Sequence, residues 1–252
     1  MEKKATLESN AIESKYVIHR ANERGSADHG WLKVNHSFSF AQYHNPEKVH
    51  FGALRVLNDD YIAPNQGFPS HPHNNMEIIT IPLEGELSHK DSMGNASVIK
   101  AGEIQVMSAG KGVIHSEFNS SQKETTNLFQ IWIFPNKKDV QPRYDQMPIE
   151  YDKMNNSFLQ LVSPNQEDEG SWIYQDAWIK MGRFDAGQQF DYKLNNTNSG
   201  LYLMVVEGSL HFNGEKLEQR DAIGIWDVDK VSFDAGESVR LLTLEVPMEF
   251  NI

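Results

Sequence analysis

The sequence predicts an all-β protein built as two tandem barrels. Three observations carry that reading: short strand-like runs cut by turn residues, no long helical period, and a second half that repeats the first. From about residue 50 the apolar residues fall in runs such as FGALRVLN (51–58), MEIITIPL (76–83), ASVIK (96–100), EIQVMSA (103–109) and NLFQIWIF (127–134). These are too short for helices and rich in β-branched and aromatic residues. DSMGN (91–95) places Asp, Ser, Gly and Asn where a hairpin turn needs positive φ or side-chain-to-backbone bonds. Many short strands at this spacing close into a sandwich or barrel, with at most a few short helices.

Taken in order, residues 1–14 are expected to be a flexible N-terminus and 15–140 a first barrel. The polar, Pro-containing stretch PNKKDVQPRYDQMPIEYDKMNN (135–156) reads as a connection, with the linker at 141–156. The strand texture then resumes through SFLQLVS, AWIKMGRF, QQFDYKL, GLYLMVV, AIGIWDV and VRLLTLEV, giving a second barrel over 157–252.

The second half reads as a copy of the first. IPLEGELSH (81–89) matches MVVEGSLHF (204–212), with Glu84-Gly85 over Glu207-Gly208, and KAGEIQVMSAG (100–110) matches QRDAIGIWDVD (219–229). The copies are 123 residues apart before the hairpin and about 119 after it.

Composition narrows the function. Of 252 residues 39% are hydrophobic and 23% charged, as in globular proteins. There is no cysteine, which excludes disulfides, thiolate metal sites and a cysteine nucleophile. Any metal must be held by nitrogen and oxygen. The formal net charge of −12 comes without a dense Lys/Arg run, which disfavours direct nucleic-acid binding. No apolar signal core opens the chain, and the longest apolar runs, such as LYLMVV (201–206), are far too short to span a bilayer. A cytoplasmic protein without membrane contact is expected. No Walker loop, dinucleotide fingerprint or Ser/His/Asp arrangement stands out.

The chemistry concentrates in two short segments. In SHPHNNMEII, His71 and His73 are two apart, and in an extended chain such residues project to one face. In HSE, His115 and Glu117 repeat that spacing. Two such pairs on neighbouring strands supply three imidazole nitrogens and a carboxylate oxygen, a set suited to Fe(II), Mn, Ni, Cu or Zn. Glu77 shares parity with His71 and His73, so the spacing leaves Glu77 and Glu117 level as the carboxylate. His19, His29, His36, His44, His50, His89 and His211 show no paired arrangement; His29 and His36 are read as structural. Trp31, Phe38 and Phe40 read as core rather than a substrate platform, and Arg55 with Asn58-Asp59-Asp60 as a turn, the alternative being support for the metal ligands.

His71 to Glu77 followed by Gly85 resembles the first cupin motif. Gly102, Gly110, His115 and Asn119 resemble the second. Ser108 stands where many cupins have proline, and the loop before His115 is longer than the general motif. More specifically, RGSADHGWLKVNHSFSF (24–40), FGALRVLNDD (51–60), HPHNNMEII (71–79), MSAGKGVIHSE (107–117) and QIWIFP (130–135) resemble the pirin family, over essentially residues 15–252. The resemblance implies two jelly-roll-like cupin barrels in a monomer. It implies one divalent metal in the N-terminal barrel, iron foremost with Mn, Ni, Cu, Zn or Co as alternatives, held by His71, His73, His115 and Glu117, which decides against Glu77. It also implies a dioxygenase in which a flavonol such as quercetin is cleaved by O2 with loss of carbon monoxide, Glu117 being the candidate base. The alternative is a non-catalytic metal- or redox-sensing regulator acting through a protein partner. Fold and site carry over better than activity. The second barrel is expected to lack metal: the internal spacings put Leu194 under His71, Asn196 under His73, Gly200 under Glu77, Asp234 under His115 and Gly236 under Glu117.

Overall fold

The central strands are apolar on both faces, and that pattern dictates the architecture. Glu77–Glu84 (EIITIPLE) and Ser199–Glu207 (SGLYLMVVE) are buried over nearly their whole length, so each must lie between two layers. The computed structural model describes residues 15–250; the expected flexible segment 1–14 lies outside them. Its helical content among those residues is two 3-10 turns, Ala21–Glu23 and Tyr151–Met154.

Two barrels are present, each a seven-stranded sheet facing a four-stranded one. In the first, the large sheet runs Arg143–Pro148, Glu103–Ser108, Glu77–Glu84, Thr126–Ile133, Leu54–Ile62, Leu32–His36, Gly25–Asp28. The small sheet runs Gly67–His73, Val113–Phe118, Glu86–Asp91, Ala96–Lys100. In the second, the large sheet runs Lys15–His19, Ala222–Trp226, Ser199–Glu207, Val239–Pro247, Trp178–Phe184, Ser157–Ser163, Ser171–Trp172. Its partner runs Gln189–Lys193, Lys230–Ala235, Leu210–Phe212, Glu215–Leu217.

The large sheets pack back to back. Leu57, Ile79, Ile81, Phe129 and Ile131 from one and Tyr202, Met204, Leu242 and Leu244 from the other belong to a single buried cluster. One ion pair crosses this layer. Asp59 accepts from Arg220 Nε at 2.9 Å, with Arg24 at 3.6 Å. Asn127 Nδ2 donates to the other Asp59 oxygen at 2.8 Å. The inner face of the first large sheet, carrying Asn58, Asp60, Thr80 and Gln130, is left to line the barrel interior.

Both Glu-Gly pairs of the repeat turn the same corner. Gly85 (φ +73°) and Gly208 (φ +79°) adopt the left-handed conformation where strand meets hairpin, and a Cβ on either would strike the neighbouring chain.

The chain departs from the expected boundaries twice. Lys15–His19 pairs with Ala222–Trp226 in the second barrel, not the first, and His19 Nδ1 meets Tyr202 Oη at 2.9 Å. Pairing across that separation leaves no local signal in the sequence. Arg143–Pro148, expected inside a linker, is the edge strand beside Glu103–Ser108; its polar residues and terminal proline suit a sheet edge. Asn58-Asp59-Asp60, expected as a turn, lies within strand Leu54–Ile62. Arg55 ties two loop carbonyls, those of Ser39 and Val49.

Candidate metal centre

Strand Gly67–His73 lies antiparallel to Val113–Phe118 with His71 opposite His115, and a register shift falls between His115 and Glu117. This pairing brings together side chains forty residues apart. Ring nitrogens of His71, His73 and His115 all lie within 4.8 Å of one another. The ring centroids are separated by 4.8 Å (71–73), 4.4 Å (71–115) and 4.8 Å (73–115). Glu117 belongs to a second group sharing His115: donor atoms of His89, His115 and Glu117 also lie within 4.8 Å of one another.

Every member but His115 is held by a neighbour. His71 Nδ1 lies 2.8 Å from the Pro69 carbonyl, so it carries the proton and Nε2 keeps a free lone pair. His73 stands edge-on to Trp132, centroids 4.9 Å apart. Gln130 Nε2 donates to Glu117 Oε2 at 3.3 Å, and Thr80 Oγ1 donates to Gln130 Oε1 at 3.1 Å. His89 Nε2 donates to Asp91 Oδ2 at 3.1 Å, and Asp91 accepts three further bonds from Met93 and Asn95.

Burial sets the charges. His73 is lowered to about 4 by burial and by His71. His115 is lowered to about 3 by burial and by the surrounding histidines. Both rings are neutral at physiological pH and keep lone pairs for a cation. Burial pushes Glu117 up to about 7 against its hydrogen bonds, and burial, Asp59 and Glu117 push Asp60 well above the carboxylate range. Several buried atoms here have no partner: both ring nitrogens of His115, Glu117 Oε1, His89 Nδ1 and Asp60 Oδ1. Orphaned atoms on His115 and Glu117, beside the imidazoles of His71 and His73, fit a late first-row metal.

The group opens on a cavity of about 470 Å³. Trp31, Phe40, Phe68 and Trp132 form its walls, and Asn58, Asp60, Glu117 and Gln130 present polar groups to it. His71 and His73 also line a second cleft of about 830 Å³ with Met76 and Lys111.

Comparison with known proteins places this geometry. The pirin family model matches residues 17–133, and the model of the quercetinase C-terminal cupin domain matches 160–246. A quercetin 2,3-dioxygenase of Escherichia coli K12 is 40% identical over 91% of this chain and 98% of its own. The chain belongs to the pirin family. A pirin-like protein of Caulobacter vibrioides is 42% identical, covering 88% of this chain and 95% of that one. The crystal structure of the E. coli bacterial pirin YhhW in complex with nickel(II) superposes with a TM-score of 0.87 at 38% identity, covering 92% of this chain and 99% of that one.

Within the pirin fold, Glu77 stands apart from the histidines. Residues 74–76 break the strand between them, so their shared parity is lost. Glu77 takes a hydrogen bond from Ser108 Oγ at 2.6 Å instead. Among the described residues, sequence reasoning missed His89, which joins the donor group, and set aside as structural, core or turn six residues that line the cavity: His29, Trp31, His36, Phe40, Asn58 and Asp60. Phe38, read with them, is core. His89 shares parity with Asp91 on one strand, which was the available signal. No helix among the described residues is long and apolar enough to cross a membrane.

Proposed function

We propose that the protein is a metal-dependent dioxygenase acting on a flavonol-like substrate with O2. His71, His73, His115 and Glu117 hold one divalent transition metal, iron foremost. The carrying observation is the cluster of three imidazoles beside a buried, partly unpartnered carboxylate, opening on an aromatic-walled cavity. The relatives named quercetin 2,3-dioxygenase and the nickel(II) complex of a pirin support the same reading.

When bound, the metal supplies Lewis-acid charge that stabilises an anionic, enolate-like substrate and orients it toward dioxygen. The chain does the rest. Trp31, Phe40, Phe68 and Trp132 clasp a flat aromatic body and exclude water. Glu117 Oε1, buried without a partner, accepts the proton of the substrate hydroxyl. Gln130, fixed by Thr80, holds Glu117 Oε2 so that the other oxygen stays turned to the site.

The test is metal analysis of protein purified without added metal, followed by oxygen uptake with a panel of flavonols and catechols. One equivalent of transition metal and flavonol-dependent uptake are expected. Metal-replete protein that is inert across the panel would leave the alternative, a regulatory metal protein without turnover.

A further inference from the structure

Of the polar groups facing the 470 Å³ cavity, Trp132 Nε1 and Asp60 Oδ1 lack a hydrogen-bonding partner and stand outside the candidate ligands; of the two, only Asp60 can accept a hydrogen bond. Gln130 and Glu117 hold each other. Asn58 Oδ1 is occupied by His36 Nδ1 at 2.9 Å. Asp60 is 4% exposed and its Oδ1 meets no hydrogen-bonding partner. A buried carboxyl oxygen left unpaired is costly unless something else satisfies it.

Asp60 cannot turn away to relieve this. It sits mid-sheet, paired to Leu128 on one side and Val34 on the other. Asn127 Nδ2 holds its backbone carbonyl at 3.1 Å. Its side chain shares a face with Asn58, which lies opposite Gln130. Asp60 thus marks a second polar point about 7 Å along the strand from the row that positions Glu117. The walls between are aromatic: Trp31 meets Phe68 edge-on at 5.3 Å and Phe40 meets Trp132 at 5.2 Å. A flat ligand seated there, one edge at Glu117, brings a further ring substituent to Asp60.

We propose that Asp60 is a specificity-determining residue that pairs with a phenolic hydroxyl on the substrate ring system remote from the reacting edge. This rests on the flavonol reading above and deepens it: the preferred substrates are polyhydroxylated flavonols, not flavonols as such. A site built to bond a hydroxyl discriminates strongly against the analogue lacking it, because the buried group is then left unpaired.

The experiment compares anaerobic binding of quercetin and 3-hydroxyflavone to the full chain by fluorescence quenching. The second ligand keeps the 3-hydroxy-4-keto edge and lacks the ring hydroxyls. The wild-type protein should prefer quercetin by roughly tenfold or more. Asp60→Leu should bring the ratio near one by weakening quercetin alone, and Asp60→Asn, which keeps an acceptor of the same shape, should retain an intermediate preference. Metal content should match wild type in both. In oxygen uptake the loss should appear in KM for quercetin, with kcat little changed. A ratio unchanged in either folded variant overturns the assignment, as does a wild-type protein binding both ligands equally. Wild-type protein that binds neither ligand removes the flavonol reading, and this inference with it.

Discussion

Glu77 should make the protein lose stability as pH rises. Its side chain is 1% exposed, and burial lifts its pKa from an ordinary 4.5 to about 7. Ser108, Arg143 and the backbone near Tyr174 oppose that lift but do not cancel it. A carboxyl whose folded-state pKa lies above its unfolded value binds its proton more tightly when folded. The stabilisation is fully present below about pH 4.5 and is lost as pH rises through about 7. A shift of about 2.5 units at about 1.4 kcal/mol each makes the loss about 3 kcal/mol.

Glu77→Gln removes the titration while keeping an acceptor for Ser108. Urea unfolding of metal-free wild-type and variant protein, at fixed ionic strength from pH 5 to pH 8, isolates the effect. Asp60 and Glu117 also titrate, but they are present in both proteins and drop out of the difference. The variant should gain between about 2 and 3 kcal/mol relative to wild type across that range, the rest of the loss falling below pH 5. A difference that stays flat with pH, or moves the other way, refutes the argument that burial dominates at this carboxyl.

The remaining expectations follow from the site and the interface. His71→Ala or His115→Ala should abolish stoichiometric metal binding, measured by elemental analysis, while Glu77→Gln leaves the metal in place; Glu77→Gln stripping the metal with Glu117→Gln retaining it would reverse the carboxylate assignment. Oxygen uptake with quercetin should disappear in the same two histidine variants, and uptake persisting without metal would defeat the proposed chemistry. Metal titration should saturate near one equivalent per chain, a second tight equivalent counting against a single centre. Arg220→Ala should cost about 3 kcal/mol in urea unfolding by leaving Asp59 buried with the more distant Arg24 as its remaining cation beside the Asn127 hydrogen bond. A cost under about 0.5 kcal/mol, the size of an exposed pair, would place that ion pair effectively in water.

Much of the candidate site was legible because its candidate donors come in i, i+2 pairs on strands, where the two-residue period makes spacing equal to direction. His71 with His73 and His115 with Glu117 needed no tertiary knowledge beyond one strand pairing. Glu77 shows where that logic ends. The period holds only while the strand is unbroken, and Asn74-Asn75-Met76 interrupts it, with Asn75 at φ +46°. Asp60 was misjudged for the opposite reason. Asn-Asp-Asp is turn-like in composition, yet it sits in a central strand because its alternate members serve two environments: Asp59 the ion pair between barrels, Asn58 and Asp60 the cavity. The strand Lys15–His19 had no local signal at all, since its partner lies two hundred residues away.

The second barrel carries the same argument one step further. Extending a constant spacing past the hairpin put Asp234 under His115 and Gly236 under Glu117, but strand pairing sets a different register. Glu117 lies beside His89, and Phe118 beside Ser88. In the second barrel His211 corresponds to Ser88 through the shared Glu-Gly corner, and it pairs with Asp234. Asp234 therefore matches Phe118 and faces solvent. Phe233 takes the place of Glu117 and Val231 that of His115, with Phe212 for His89. Across the sheet Val231 pairs with Tyr192 as His115 pairs with His71, which moves Tyr192 under His71 and Leu194 under His73. The spacing failed because the turns after the central strand are shorter in the second half and the connection before it is longer, while the earlier match of Gly200 to Glu77 holds at the start of each central strand. Phe212, Val231, Phe233, Tyr192 and Leu194 all belong to one buried cluster. The two barrels thus share a backbone and differ in what fills it. Where the first keeps polar side chains around an open cavity, the second closes the same positions with apolar bulk, and that packing contributes stability.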